Sequence, residues 1–340
     1  MTATQRPTLL TLGIGLWVLL LASVVLAVAF GPADIAPSEV WQTIAHHLGL
    51  VADTPVSRLR DAIIWDLRVP RVLVAAGVGA GLALCGAVMQ ALTRNPLADP
   101  YLLGLSAGAS LGAVVFLLGG AALLMPLGAF MGAAAAMAFT LLVTQVLGGA
   151  TPARAILAGI SVSALASAAT SFLIFWSATG DSYREILSWL MGSLSGAVWS
   201  DAVTVLAATI FIGLPVLLSG RALDAFAFGD NAAASLGVDV PRLRWLLLGA
   251  TALLTGVLVS IGGAIGFVGL IVPHVVRLAT GSRHRVLLPV SMLLGAIFMI
   301  WSDTAARSLF APRELPVGII TALIGAPIFI LVLVRYRRMT

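Results

Sequence analysis

The 340-residue sequence contains no lysine. A phosphate-binding loop of the G-x-x-x-x-G-K-[ST] kind needs its lysine to reach the nucleotide, so the chain cannot hydrolyse ATP by that route. Charge of either sign is scarce: charged residues make up 10% of the chain, against roughly 25% in ordinary soluble domains. A single cysteine, Cys85, excludes a disulfide framework. It lies in an apolar run and reads as a small buried hydrophobe. No basic cluster is interleaved with aromatic residues, so the net charge of +5 does not point to nucleic acid.

What the chain has is apolar length. Hydrophobic residues account for 60% of it and the mean hydropathy is +1.08. A soluble core cannot use that much apolar surface, whereas a bilayer can. At about 20 apolar residues per span plus a loop, the length allows roughly ten spans. They are expected near 9–29, 71–92, 102–118, 122–147, 154–176, 199–219, 244–262, 265–280, 286–303 and 316–335. The fold class is therefore all-α and polytopic, one transmembrane domain over 1–340. The first apolar stretch, Leu9 to Ala29, ends in the cleavage-like Ala27-Val28-Ala29. It is too long for a signal h-region of about 7–15 residues and reads as a retained helix.

Arginine placement orients these spans. With the N-terminus inside, 12 arginines lie inside (Arg6, Arg94, Arg154, Arg221, Arg242, Arg244, Arg277, Arg283, Arg285, Arg335, Arg337, Arg338) and 7 outside (Arg58, Arg60, Arg68, Arg71, Arg184, Arg307, Arg313). The outside segments also carry most of the acids, among them Asp34, Glu39, Asp53, Asp61, Asp66, Asp181, Glu185 and Glu314. Both termini then face the cytoplasm. Ten helices split as five plus five, and an odd number per half implies halves inverted in the membrane.

Three connecting segments carry structure of their own. Residues 31–70 hold a short amphipathic helix with Val40, Trp41, Ile44 and Leu48 on one face. Residues 183–195 hold another. Inside, 220–243 contains a short helix bracketed by Gly229 and Gly237, with Asp230 or Asn231 as its N-cap.

The remaining motifs read in two ways each. Gly104, Gly108 and Gly112, and again Gly128 and Gly132, stand at the four-residue spacing that lets helix backbones approach closely; packing is the favoured reading. Gly104-Leu105-Ser106-Ala107-Gly108 also fits G-x-S-x-G, which needs a strand–turn–helix context that is absent. An intramembrane protease pairing Ser106 with His274 is the remote alternative. His274 follows Pro273 and is more simply a partner for carbonyls freed by the proline. Ser163, Ser167 and Ser171, with Thr170 beside them, form a hydroxyl stripe that lines a polar path or bonds its own helix. Asp303 and Arg307 have the spacing of an i,i+4 pair. Arg68 and Arg71 have no local partner beyond Asp66, and their planar forks suit carboxylates of a docking protein.

Several blocks resemble the FecCD-type permeases of iron-chelate and vitamin B12 ABC importers. The first is Leu67-Arg68-Val69-Pro70-Arg71, then Cys85 to Gln90, then Arg94-Asn95-Pro96-Leu97-Ala98-Asp99-Pro100, then Leu103 to Ala109. The second is Gly229-Asp230-Asn231-Ala232-Ala233-Ala234-Ser235-Leu236-Gly237. The third is Gly266-Phe267-Val268-Gly269-Leu270-Ile271-Val272-Pro273-His274. The fourth is Glu314-Leu315-Pro316-Val317-Gly318-Ile319-Ile320-Thr321-Ala322, then Gly325-Ala326-Pro327. They run in family order from residue 67 to the C-terminus.

The resemblance implies a type II importer permease of the bacterial inner membrane, not itself an enzyme, with no cofactor or metal in this chain. Its partners would be a second permease copy, two ATPase subunits that bind ATP and magnesium, and a periplasmic binding protein. The resemblance implies that Arg68, Arg71 and Arg307 receive glutamates of that binding protein. It makes Gly229, Asp230, Asn231, Ala233, Ser235, Leu236 and Gly237 the coupling segment that docks into the ATPase. Asn95 and Leu97 would form one side of a cytoplasmic gate. Pro152 and Ala153 would form the other, in a loop (Thr151 to Arg154) less rich in hydroxyls than in some relatives. The pathway would be lined by the fifth and tenth helices and the 183–195 helix, through Ser163, Ser167, Thr170, Ser171 and Met191. The expected cargo is an iron chelate, ferric siderophore or haem, with cobalamin as the alternative. For haem, Tyr183, Met191 and the pair His46-His47 are the candidate contacts.

Overall fold

The computed structural model describes residues 5–31, 33–52, 56–148 and 151–337. Asp53 and Arg338, and the side chains of Arg6, Pro152, Asp181, Arg335 and Arg337, lie outside what is described. Among the described residues every regular element is a helix.

Helix α1 (Gln5–Ala29) is followed by two short helices, α2 (Pro37–His47) and α3 (Arg58–Ala62). A π-helical stretch, Ile63–Arg68, carries α3 straight into α4 (Val69–Thr93). A loop containing one 3-10 turn (Pro100–Leu103) leads to α5 (Leu105–Leu118), α6 (Met125–Val146) and α7 (Pro152–Ser177). Next come α8 (Gly180–Leu190), α9 (Trp199–Phe211) and α10 (Gly213–Leu218). The short α11 (Gly220–Phe226) and α12 (Asp230–Ser235) precede α13 (Val240–Gly262), α14 (Val268–Thr280), α15 (His284–Ser308) and α16 (Val317–Arg337).

Seven stretches are long and apolar enough to cross a membrane, beginning at Thr11, Arg58, Ala122, Ala153, Trp199, Val240 and His284. Three shorter apolar helices, Leu105–Leu118, Val268–Thr280 and Val317–Leu331, bring the described set to the ten expected. The boundaries differ in informative places. The second span is part of a helical rod of 36 residues from Arg58, so the end of the expected 31–70 loop is helix. The third begins at Leu105 rather than 102, because the chain leaves α4 and turns back along it before α5 starts. The ninth runs on to Ser308, which puts Asp303 and Arg307 inside a helix.

The axle of the bundle is α4, buried along nearly its whole length and packed on α9, α13, α14 and α15. A helix apolar all round belongs in such a position. Glycine makes the packing close. A Cβ added at Gly79 would lie 2.2 Å from the carbonyl oxygen of Gly295 on α15, and one at Gly86 would lie 1.8 Å from that of Gly269 on α14. The crossing of α5 and α6 uses the predicted ladder: Gly112 faces the Gly128 oxygen at 2.0 Å from its would-be Cβ, and Gly132 faces that of Gly108 at 2.1 Å. Side-chain-free surfaces let dispersion act over the full crossing. Gly104 stands just before α5 with φ 85° and is the turn residue, not a rung.

The bundle has two ends: a proximal face, where α1 begins, and a distal face, where α1 ends.

Candidate functional site: two charged junctions and an apolar cleft

Arginine at the end of an apolar helix must find acceptors, and three of them do so together at the distal face. The π turn at Ile63–Arg68 rotates the chain so that Arg68 is buried and reaches back to α1. Its Nη1 donates to the carbonyl oxygens of Val28 (2.8 Å) and Ala29 (2.9 Å), and its Nη2 to that of Ala33 (2.9 Å). Arg307 is also buried and donates to the Ala27 oxygen and, at 3.4 Å, to Thr304 Oγ1. Two guanidiniums thus cap the C-terminal carbonyls of α1, where cations oppose the helix dipole favourably.

Arg71 is different, because its partners are acids. Its Nε and Nη2 donate to both oxygens of Asp303 at 2.9–3.1 Å. Its Nη1 donates to Glu314 at 2.8 Å. The Asp303 side chain is 2% exposed and that of Glu314 is 43% exposed. The expected i,i+4 pair is present, with Arg307 Nε 4.0 Å from Asp303, but the same carboxylate has a closer partner in Arg71. The three predicted docking arginines are brought together, but Arg68 and Arg307 are turned inward. The exposed acid of the cluster, Glu314, is held by Arg71.

Beside this cluster, α2 is clasped to the bundle. The Ala36 N–H and then the Arg60 guanidinium hold the Glu39 carboxyl below its ordinary 4.5. The His47 ring stacks on Trp65 at 4.2 Å and its Nε2 lies 3.0 Å from Asp61. Trp65 in turn meets Trp199 of α9, whose Nε1 donates to the Trp65 oxygen at 3.0 Å. His46 Nδ1 lies 3.3 Å from the Val51 oxygen. Both histidines therefore have local work, and neither lines the apolar cleft along α14 and α16.

The proximal junction centres on Asp230, the first residue of α12. Its carboxylate accepts from Arg94 at 2.6 Å and, with both oxygens at 3.0 Å, from Arg244. Arg94 is the left-handed C-cap of α4 (φ 51°) and immediately precedes Asn95. Arg244 belongs to α13 and lies over the Phe226 ring at 5.5 Å. One carboxylate therefore ties α12 to two spans. Asp230 does not cap α12 as expected; the N-cap residue is Gly229 at φ 99°. Gly237 at φ 83° follows the helix on the other side. Ala233 is buried against the bundle, Leu236 is 71% exposed, and Ser235 donates back to the Asn231 oxygen.

The loop after Arg94 is a compact turn. Asn95 Oδ1 accepts from the Leu97 N–H at 2.9 Å, an Asx turn that fixes the backbone and presents Leu97, 39% exposed. On the same face Thr151 caps α7 through the Arg154 N–H, and Arg154 donates to the Gly148 oxygen at 2.7 Å. Pro152 and Ala153 are the first residues of α7.

An open cleft of about 530 Å³ lies along α14 and α16, lined by Met191, Gly266, Phe267, Gly318, Ile319 and Leu323 among others, with no charged residue among the described ones. Met191 is one of its walls. A second opening of the same size, about 530 Å³, lies between the ends of α7 and α8 and includes Ser171 and Tyr183. Ser167 and Ser171 are exposed along α7. Thr170 is not part of that stripe: it is buried and donates to the Ala166 oxygen at 2.8 Å. Ser106 lies in the first turn of α5, a helix with no strand before it. α5 packs chiefly on α6 and α7, while α14, which carries His274, packs on α4 and α15. Ser106 and His274 thus sit on helices with different main packing neighbours. Cys85 is buried, its thiol 3.5 Å from the Thr251 oxygen.

A bundle of apolar helices around a glycine-lined axle, with an uncharged cleft and a charged junction at each face, defines a polytopic transport permease. Residues 19–335 match the FecCD transport family, and the chain belongs to it. It is 39% identical to the vitamin B12 import system permease protein BtuC of Vibrio cholerae, over 97% of this chain and 94% of that protein. It is also 39% identical to the Fe(3+)-citrate import system permease protein YfmD of Bacillus subtilis, over 81% and 85%. The solved structure described as an inward-facing conformation of a putative metal-chelate type ABC transporter superposes with a TM-score of 0.84. It is 31% identical and covers 96% of this chain and 99% of that one.

Proposed function

We propose that this chain is the membrane-spanning subunit of an ATP-driven importer for a metal chelate, working as a homodimer in a bacterial plasma membrane. Two separate ATPase subunits bind at the proximal face, which is cytoplasmic, and a substrate-binding protein docks at the distal face. The arginine balance, 12 against 7, supports that orientation. The absence of lysine supports a separate ATPase.

Each junction then has a task. At the distal face Arg71 receives a carboxylate of the binding protein, while Arg68 and Arg307 hold the frame around it. At the proximal face α12 enters the ATPase with Leu236 as its exposed apolar knob. A change in ATPase spacing moves α12, and Asp230 passes that motion to α13 through Arg244 and to the gate loop at Asn95 and Leu97 through Arg94. Pro152 and Ala153 stand at the facing gate. Cargo passes along Met191, the serine stripe of α7 and α16 between the two copies, by alternating access.

The observation that carries the cargo reading is the cleft's lack of charge. A carrier of anionic ferric citrate gains from cations along its path, and the described residues of this lining include none. A large, mostly neutral macrocyclic chelate suits it better. The near-complete length match to a vitamin B12 permease supports the same choice, so cobalamin is placed ahead of the iron chelate that the sequence alone favours. The test is uptake in a strain lacking its own importers, given this chain with its neighbouring ATPase and binding protein. Labelled cobalamin should accumulate. Accumulation of ferric citrate, a ferric siderophore or haem instead would reverse the order.

A further inference from the structure

The distal cluster holds an acid where an incoming acid would have to bind. Arg71 makes three bonds to Asp303, which is buried, and one to Glu314, which is the exposed member. Asp303 is out of reach from solvent, and Arg68 and Arg307 have their guanidiniums on main-chain oxygens of α1 and the turn after it. The outward-facing part of the cluster is therefore the Arg71–Glu314 contact. A carboxylate arriving from outside meets Arg71 on the side that Glu314 occupies.

Glu314 is also well placed to report such an exchange. It lies in the connection from α15 to α16, where residues 309–314 are all exposed. Two residues later Pro316 opens the approach to α16. Gly318 there packs so closely on Met191 that an added Cβ would fall 2.0 Å from the Met191 oxygen, and its N–H points to the Gly192 oxygen at 3.4 Å. Gly318, Ile319 and Met191 are all walls of the cleft. The salt link at Glu314 thus fastens the start of a cleft-lining helix to the docking arginine.

We propose that Glu314 is a displaceable internal occupant of the docking cluster: a carboxylate of the binding protein replaces it on Arg71, and the released 309–316 connection frees the start of α16. Like is exchanged for like, so the cluster keeps its charge balance throughout. Three arginines face two carboxylates before docking and two after it, with the second supplied by the partner. Docking is then both weakened and sensed. An exposed ion pair sustains a closed-to-open ratio of up to about fivefold, and a site that must first open binds more weakly by about that factor.

The proposal rests on Arg71 being the docking residue, and one titration separates the two ideas. The permease–ATPase complex in lipid nanodiscs is titrated with fluorescently labelled binding protein. The variants are Glu314→Gln, the charge-matched control Glu185→Gln at another exposed acid, and Arg71→Lys, which keeps a cation beside Asp303 but loses the fork. Glu314→Gln is expected to tighten docking by about fivefold, Glu185→Gln to leave it unchanged, and Arg71→Lys to weaken it. In parallel, hydrogen exchange of 309–322 should rise on docking in the wild type and be raised already in Glu314→Gln. Unchanged or weaker docking of Glu314→Gln, with Arg71→Lys impaired, overturns the exchange and leaves the dock standing. Equal tightening by Glu185→Gln also overturns it, since the gain is then long-range charge. Normal docking of Arg71→Lys would remove the dock itself.

Discussion

Replacing Asp230 by asparagine keeps the shape of the proximal junction and removes its charge. The bond to Arg94 joins side chains 46% and 41% exposed and is worth about 0.5 kcal/mol after solvent screening. The bond to Arg244 uses both carboxylate oxygens, and the Arg244 side chain is only 10% exposed. Charge-assisted bonds of that kind contribute about 1–2 kcal/mol. Asparagine offers one acceptor oxygen, and its amide N–H repels the second guanidinium N–H. Together the two bonds come to about 2 kcal/mol, which sets an upper bound of about a 30-fold rise in the detached population of α12 at 1.4 kcal/mol per tenfold. The six-residue helix has one buried side chain, Ala233, as its other anchor. Hydrogen exchange of residues 229–238 in the purified complex reads that detachment directly, and ATP consumed per molecule of cargo reads its consequence. Exchange should accelerate and the ratio of ATP to cargo should climb, while α4 stays protected and Asp230→Glu restores both. Unchanged exchange with normal stoichiometry would show that the carboxylate is ornamental and that the motion passes elsewhere.

Four further outcomes are expected. Gly112→Ala puts a Cβ 2.0 Å from the Gly128 oxygen, so α5 and α6 must part by about 1 Å, at a cost of about 1–3 kcal/mol visible as a lower Tm; Gly120→Ala, with open space but φ 79°, serves as the comparison for backbone strain alone. Arg68→Gln removes the charged donor from three carbonyl oxygens and should destabilise the attachment of α1 by about 2–4 kcal/mol, seen as proteolysis near 30–36; Arg68→Glu therefore tests folding, not docking. Leu236→Glu, at an exposed position, should leave the permease folded and abolish co-purification of the ATPase. The Glu39 carboxyl is held low, so its support of α2 is complete above its unfolded value of 4.5 and is lost as the pH falls through its lowered value; wild-type α2 should loosen on acidification while Glu39→Gln is loose at every pH, by hydrogen exchange referenced to a free peptide.

The spans are legible because each is a long apolar run, a signal that needs no tertiary knowledge. The ends are less so. Hydropathy continues smoothly through Leu102 to Leu105, although the chain is still in a turn at Gly104. The 36-residue rod from Arg58 reads as a loop because its first turns carry Arg58, Arg60, Asp61 and Asp66. The glycine ladder is readable because four-residue spacing is itself the geometric requirement. The charged junctions are not, because their partners are far apart in the chain: Arg71 and Asp303 are separated by 232 residues, and Arg71 and Glu314 by 243. Local spacing offers Arg307 as the partner of Asp303, and the fold keeps that pair at 4.0 Å while adding Arg71 at 2.9 Å. Arg68 gives no hint at all, since its acceptors are backbone oxygens that no sequence pattern marks. Thr170 misleads for a related reason. A hydroxyl on a helix can always turn to its own i−4 carbonyl, and here burial makes it do so.

Transport by purified parts puts the assignment as an ATP-driven importer subunit to its sharpest test. The permease and its ATPase are reconstituted in proteoliposomes, with binding protein and labelled cobalamin on the side of the distal face and ATP on the side of the proximal face. Accumulation is expected that needs all three proteins and ATP hydrolysis and that fails with Leu236→Glu. Cargo movement without the ATPase, or transport only with ATP supplied at the distal face, would contradict the assignment.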